Sequence, residues 1–184
     1  ELRRVIFRSA GKLRTSLVAA AALLLVKEDF GLVVAAFGVV IGLRTGRWRL
    51  GAGVFVAGIA ATVISSELLI PAAGGRAGYY WDYYAALGPD PAAALWHIVR
   101  HPLATLHLAT TPHQKVRLVE WLFVPLGLVS LGSSFMLLAI PQLAELVLSN
   151  NPYHWELDSH YTAVFAPILT LAAVDTVGKL RRLS

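Results

Sequence analysis

No cysteine occurs among the 184 residues. That excludes a disulfide framework, a thiolate metal site and a cysteine nucleophile. The chain also lacks the signatures of soluble nucleotide chemistry: there is no phosphate-binding glycine loop, no dinucleotide fingerprint and no nucleophile elbow. Charge is scarce, at 15% against 57% apolar residues, which is too apolar for an ordinary soluble domain around one core. The net charge of +5 does not point to nucleic acid, because the basic residues sit beside apolar runs and form no basic face. They read as topology signals. The composition predicts an all-α, polytopic integral membrane protein with the lipid bilayer as its partner.

A starting methionine is also absent. The first stretch, with Arg3, Arg4, Arg8, Lys12 and Arg14, runs into apolar sequence that no small-residue cleavage site follows, so it is not a signal peptide. Glu1 therefore reads as an internal residue, and 1–184 as a single membrane domain forming the C-terminal part of a longer chain.

Residues 15–43 taken as one helix would be roughly 43 Å long with three charges at the centre, against a hydrocarbon core of roughly 30 Å. Two short helices, 15–26 and 30–43, fit better. A full-length span over 50–72 follows, with Glu67 near its end, and Gly51, Gly53 and Gly58 allow close helix contact. A second pair of short apolar runs, 118–131 and 134–148, is separated by Gly132, Ser133 and Ser134, and a last span covers 161–177. Between them, 73–117 is an amphipathic segment with a helix start at Asp90 and Pro91 and breaks at Pro102 and Pro112. It is expected to lie at the outer interface.

With both short pairs as hairpins, the basic stretches 1–14, 44–49 and 179–182 share one side and hold 11 of the 16 Lys and Arg residues. The positive-inside bias makes that side cytoplasmic. The expectation is thus about six segments in the cytoplasmic membrane, both ends of this fragment inside, and the polar clusters outside. Tyr79, Tyr80, Trp81, Tyr83, Tyr84 and Trp96 read as interfacial anchors, and Lys115 and Arg117 as side chains that snorkel from a helix end.

Two clusters carry the chemistry. Lys27, Glu28 and Asp29 join two short helices: a lysine there can hold a phosphate, and a carboxylate can act as general base or bind a divalent metal. The alternative is a solvated turn with an internal salt bridge. The stretch Asn150 to Tyr161 combines the amides of Asn150 and Asn151 with His154, Glu156, Asp158, His160 and Tyr161, a mixture suited to a sugar or a phosphate headgroup. His154, Asp158 and His160 match no metal motif, and neither do His97 and His101. No metal-ligand set is assigned, and the cofactor is left open beyond that divalent metal. Glu67, Glu120 and Glu145 lie in or at the ends of membrane segments, where a carboxylate is paired or functional by default.

The runs "LLLVKEDFG", ending at Gly31, "EWLFVPLGLVSLGS" from Glu120 to Ser133, and "LLAIPQLAELVLSNNPYHWELDSHYTAVFAPIL" from Leu137 to Leu169 resemble a bacterial family of predicted membrane proteins, domain of unknown function 2079. The resemblance covers most of the chain from residue 15. That family is similar in layout to the GT-C-type glycosyltransferases that take a sugar from a polyprenyl-phosphate carrier at the outer membrane face. The likeness implies a membrane protein of glycosyltransferase type in the cell envelope. On that analogy Lys27 holds the carrier phosphate, and Glu28 or Asp29 orients a metal or the acceptor hydroxyl. His154, His160 and Tyr161, with Asn150 and Asn151, line the substrate pocket. Two rivals stand beside it. A non-catalytic scaffold of envelope assembly predicts that Lys27, Asp29 and His160 each tolerate alanine; a small-molecule transporter predicts paired interrupted helices.

Overall fold

The structure, a computed structural model, describes residues 10–126, 128–156 and 160–182. Every regular element in it is helical, so the all-α expectation holds for the described residues. The chain divides into two compact units, Glu1–Ala77 and Gly78–Ser184.

Among its described residues the first unit has three helices. α1 (Ala10–Leu23) and α2 (Phe30–Thr45) are separated by turns at the charged triplet, as the length argument required. α2 and α3 (Trp48–Ala72) form an antiparallel hairpin. Its bend needs a left-handed residue: Gly46 takes φ 72° and its N–H bonds to the Gly42 carbonyl at 3.0 Å.

Glycine sets how the hairpin packs. A methyl on Gly31 would collide with Gly58 and Thr62, and one on Gly38 with the Gly51 carbonyl and the Phe55 backbone. Each pair, 31 with 38 and 51 with 58, is seven residues apart, two turns along one face. The two backbones therefore touch directly along that line. Gly51 and Gly58 are the buried residues of α3 over Trp48–Ile64, and the large side chains around them face outward.

Near its end α3 widens into a π-turn over Ser65–Leu69, where the Ile70 N–H bonds to the Ser65 carbonyl five residues back. Pro71 follows and has no N–H to offer the Glu67 carbonyl, so the regular ladder fails at this point. Glu67 itself is exposed.

The second unit opens with a 3-10 turn over Tyr79–Tyr84. Then come α4 (Pro91–Arg100), α5 (Pro102–Thr110) and α6 (Gln114–Phe123). Asp90 starts α4 by accepting the Ala93 N–H at 2.8 Å, as its place before Pro91 predicts. After α6 the backbone passes through 3-10 turns at Val124–Leu126, Val129–Gly132 and Ser134–Leu138 before α7 (Ile140–Leu148). α8 (Pro152–Trp155), a 3-10 turn at His160–Thr162 and α9 (Phe165–Leu180) complete the unit. Leu118, Phe123, Ala139, Leu146, Phe165, Ile168 and Leu169 form its buried core.

Among the described residues two helices are long and apolar enough to cross a bilayer, Trp48–Ala72 with 25 residues and His160–Leu180 with 21. The runs 118–131 and 134–148, expected as short spans, are broken for a local reason. Pro125 removes a donor, Leu128 adopts a left-handed φ of 62°, and Ser133 is extended. The resulting turns pack along α9 rather than continuing as helix.

Candidate functional site

The charged triplet sits where α1 has ended and α2 has not begun. The N–H groups of Leu24, Leu25 and Val26 close back on Ala21, Ala22 and Leu23 carbonyls, and Phe30 N–H on the Lys27 carbonyl. Asp29 precedes α2 but does not cap it with its side chain. Its Oδ2 instead pairs with Lys27 Nζ. Asp29 is 7% exposed, while Lys27 and Glu28 are half-buried. Asp29 Oδ1 is buried and has no hydrogen-bond partner among the described residues. Taking a carboxylate out of water is costly unless it is paired, and here the lysine and the positive end of α2 offset that cost on one side only. The arrangement combines an internal salt bridge with a second, buried acceptor oxygen that has no partner among the described residues.

In the second unit, rings converge on His154, which is 3% exposed. Tyr83 meets it edge-on at 5.2 Å between centroids, Tyr161 lies at 4.8 Å, and His160 stacks on Tyr161 at 4.2 Å. The sequence brings these rings together by stitching 79–84 to 145–151. Asn150 N–H donates to the Tyr83 carbonyl at 2.8 Å, Asn150 Nδ2 to the Asp82 carbonyl at 3.2 Å, and Tyr84 OH to the Glu145 carbonyl at 3.1 Å. Asn151 Oδ1 starts α8 by accepting the Tyr153 N–H at 3.2 Å. The two asparagine amides thus shape the loop, while His154, His160 and Tyr161 form its aromatic wall. Tyr83 joins them, although its position in the aromatic run suggests only anchoring.

Lys115 does not snorkel. It is 1% exposed, donates from Nζ to the Leu108 carbonyl at 2.9 Å and lies 5.7 Å from the Trp155 ring centroid. Trp155 is held by its Nε1–H on the Ser149 carbonyl at 3.2 Å. The signal was available: Lys115 precedes Leu118 and Leu122 by three and seven residues, which puts it on the apolar face of α6. Burial lowers its pKa from the ordinary lysine value of 10.5. The sign follows. Between the lowered folded value and 10.5 the unfolded chain binds more protons than the folded one, so stability rises with pH across that interval. Thermal unfolding in detergent should show this rise, and Lys115→Met, which keeps the stem without the charge, should flatten it. A variant with the same slope would detach the slope from Lys115.

A second buried carboxylate lies along α9. Asp175 Oδ2 accepts from Ser133 Oγ at 2.6 Å and pairs with Lys179 Nζ at 2.9 Å; the same ammonium donates to the Gly132 carbonyl at 3.0 Å. Glu145 accepts from Gln142 Nε2 at 2.9 Å, so it is paired as its position led one to expect, whereas Glu120 is exposed. The His97 and His101 rings lie 5.0 Å apart, tilted by 50°. No group of three or more metal-ligating side chains forms among the described residues, and Asp158 lies outside them.

The triplet belongs to the first unit and the His154 cluster to the second. The family described as predicted membrane protein (DUF2079) matches residues 4–183, so the chain belongs to that family. No curated protein and no solved structure matches it.

Proposed function

We propose that this family member acts on a lipid-linked sugar at the outer face of the cytoplasmic membrane, as a multi-pass glycosyltransferase-like protein with both ends of the fragment inside. Asp29 carries the reading: a buried carboxylate with one oxygen on a lysine and the other without a partner among the described residues. Such an oxygen can take a proton from an acceptor hydroxyl or hold a divalent metal, and Glu28 beside it can share either role. On this reading the Lys27 ammonium, which pairs with Asp29, also holds the phosphate of a polyprenyl-phosphate carrier. Taken by itself, the second unit offers His154, His160 and Tyr161, whose imidazole and phenol groups beside aromatic faces suit the stacking of a sugar ring. Asn150 and Asn151 hold that wall in place, and their amides border it.

The test uses membranes containing the full-length protein and a panel of radiolabelled polyprenyl-phosphate hexoses. Asp29→Asn should lower transfer about 100-fold, the scale of a lost general base, at unchanged abundance in the membrane fraction. Asp29→Asn membranes that transfer at the parent rate would remove Asp29 from this role.

One observation favours transport. Asp175 is a buried carboxylate on a helix long enough to span, facing a segment broken into short turns, and ion sites in transporters are built from such parts. Lys179, however, already supplies the cation there.

A further inference from the structure

Between residues 91 and 119 the sequence has no Asp or Glu, yet it holds Arg100, Lys115, Arg117 and four of the six histidines. Most of this stretch is the helix pair α4–α5. Ala94 is the one buried residue of α4, while Leu95, Trp96 and Val99 are 65%, 57% and 73% exposed. Spacing of three and four residues puts Leu95, Trp96 and Val99 on one face. In α5, Leu103 is 81% exposed and Leu106 60%. The Arg100 guanidinium lies 4.1 Å over the Trp96 ring, so a cation and the largest ring of the face form one group.

Length and charge identify what covers this face. α4 has 10 residues and α5 has 9. Each is therefore roughly 15 Å long, half the hydrocarbon thickness, and neither can span. Neutral acyl chains alone would not call for arginine and imidazole around the apolar residues. The nearest acid in sequence, Asp90, is engaged in capping Ala93. We propose that α4–α5 lies in the membrane plane and docks on the phosphodiester headgroups of anionic phospholipids. Trp96 and Val99 enter the acyl boundary, Arg100 pairs with phosphate, and the imidazoles of His97 and His101 add N–H donors. This anchoring does not depend on sugar transfer.

Residues 1–184 have no cysteine, so Val99→Cys, in a background where any other cysteine is replaced by serine, takes a single environment-sensitive label. The full-length protein is placed in nanodiscs of phosphatidylcholine alone, or with about a quarter phosphatidylglycerol to supply the anionic surface. With phosphatidylglycerol the label should be quenched by brominated acyl chains and shielded from iodide. Arg100→Gln should reduce that shielding about fivefold, the fold-change of roughly 1 kcal/mol per basic side chain near an anionic surface. A second label at Leu103→Cys gives the same reading if the first variant folds poorly. Equal shielding in both lipids, or iodide access in both, would overturn the proposal. Shielding that follows protein concentration would assign the face to a second copy of the chain, with the same result.

Discussion

Gly38→Val should unfold the α2–α3 hairpin. The added branched side chain would meet the Gly51 carbonyl and the Phe55 backbone, not a rotatable side chain, so the only relief is separation of the helices. Overpacking a core costs about 1–3 kcal/mol where side chains can adjust. Here they cannot, and a loss of roughly 3 kcal/mol or more is expected. Gly58→Leu should act alike, because that position faces the Gly31 carbonyl and the Ala35 backbone. Gly53→Ala is the control. Nothing lies within 4 Å of the methyl it would add, and it should gain about 0.5–1 kcal/mol from helix propensity. Unfolding of the three variants in mixed micelles, followed by far-UV circular dichroism, separates these outcomes. Equal midpoints for Gly38→Val and Gly53→Ala would mean that the helices do not touch backbone to backbone. The effect of Gly58→Leu would reach the candidate site, since Gly58 packs on Gly31, two residues after Asp29.

The same physics explains what the sequence reveals and what it hides. The break at 24–29 was legible because three charges at mid-helix violate the bilayer, and Gly51 and Gly58 were legible as contact points because small residues let helices approach, whereas Gly53, expected with them, meets nothing within 4 Å. Grouping His154, His160 and Tyr161 followed from their nearness in the chain. Tyr83 was not legible as their partner, because its contact depends on Asn150 reaching the Tyr83 and Asp82 carbonyls 67 and 68 residues earlier in the chain. Nor was the fragmentation of 118–148. Hydropathy records that Val124 to Leu138 is apolar, but Pro125, the left-handed Leu128 and the extended Ser133 decide that it turns. Lys115 lay between these cases: its helical spacing marked it as inward-facing, yet a lone lysine beside a helix end is more often exposed.

Lys179→Ala should destabilise the second unit more than Asp175→Asn does, although both remove the same ion pair. The asymmetry comes from burial: the Asp175 side chain is 3% exposed and that of Lys179 34%. Without Lys179 the carboxylate stays inside, with Ser133 Oγ still donating to it at 2.6 Å. Removing the cation partner of a buried carboxylate costs about 3 kcal/mol, near the lower bound for buried pairs because the lysine is itself part-exposed. In Asp175→Asn the lysine can turn its ammonium to water, and the amide oxygen that replaces the carboxylate still accepts from the Ser133 hydroxyl, so a loss of about 1 kcal/mol is expected. The double variant should then resemble Asp175→Asn alone, a coupling of roughly 3 kcal/mol between neighbours. Thermal unfolding of the four proteins in one detergent measures this cycle. Additive losses would mean that the carboxylate does not depend on the ammonium, and the packing of the broken segment 124–138 against α9 would then rest on its apolar contacts alone.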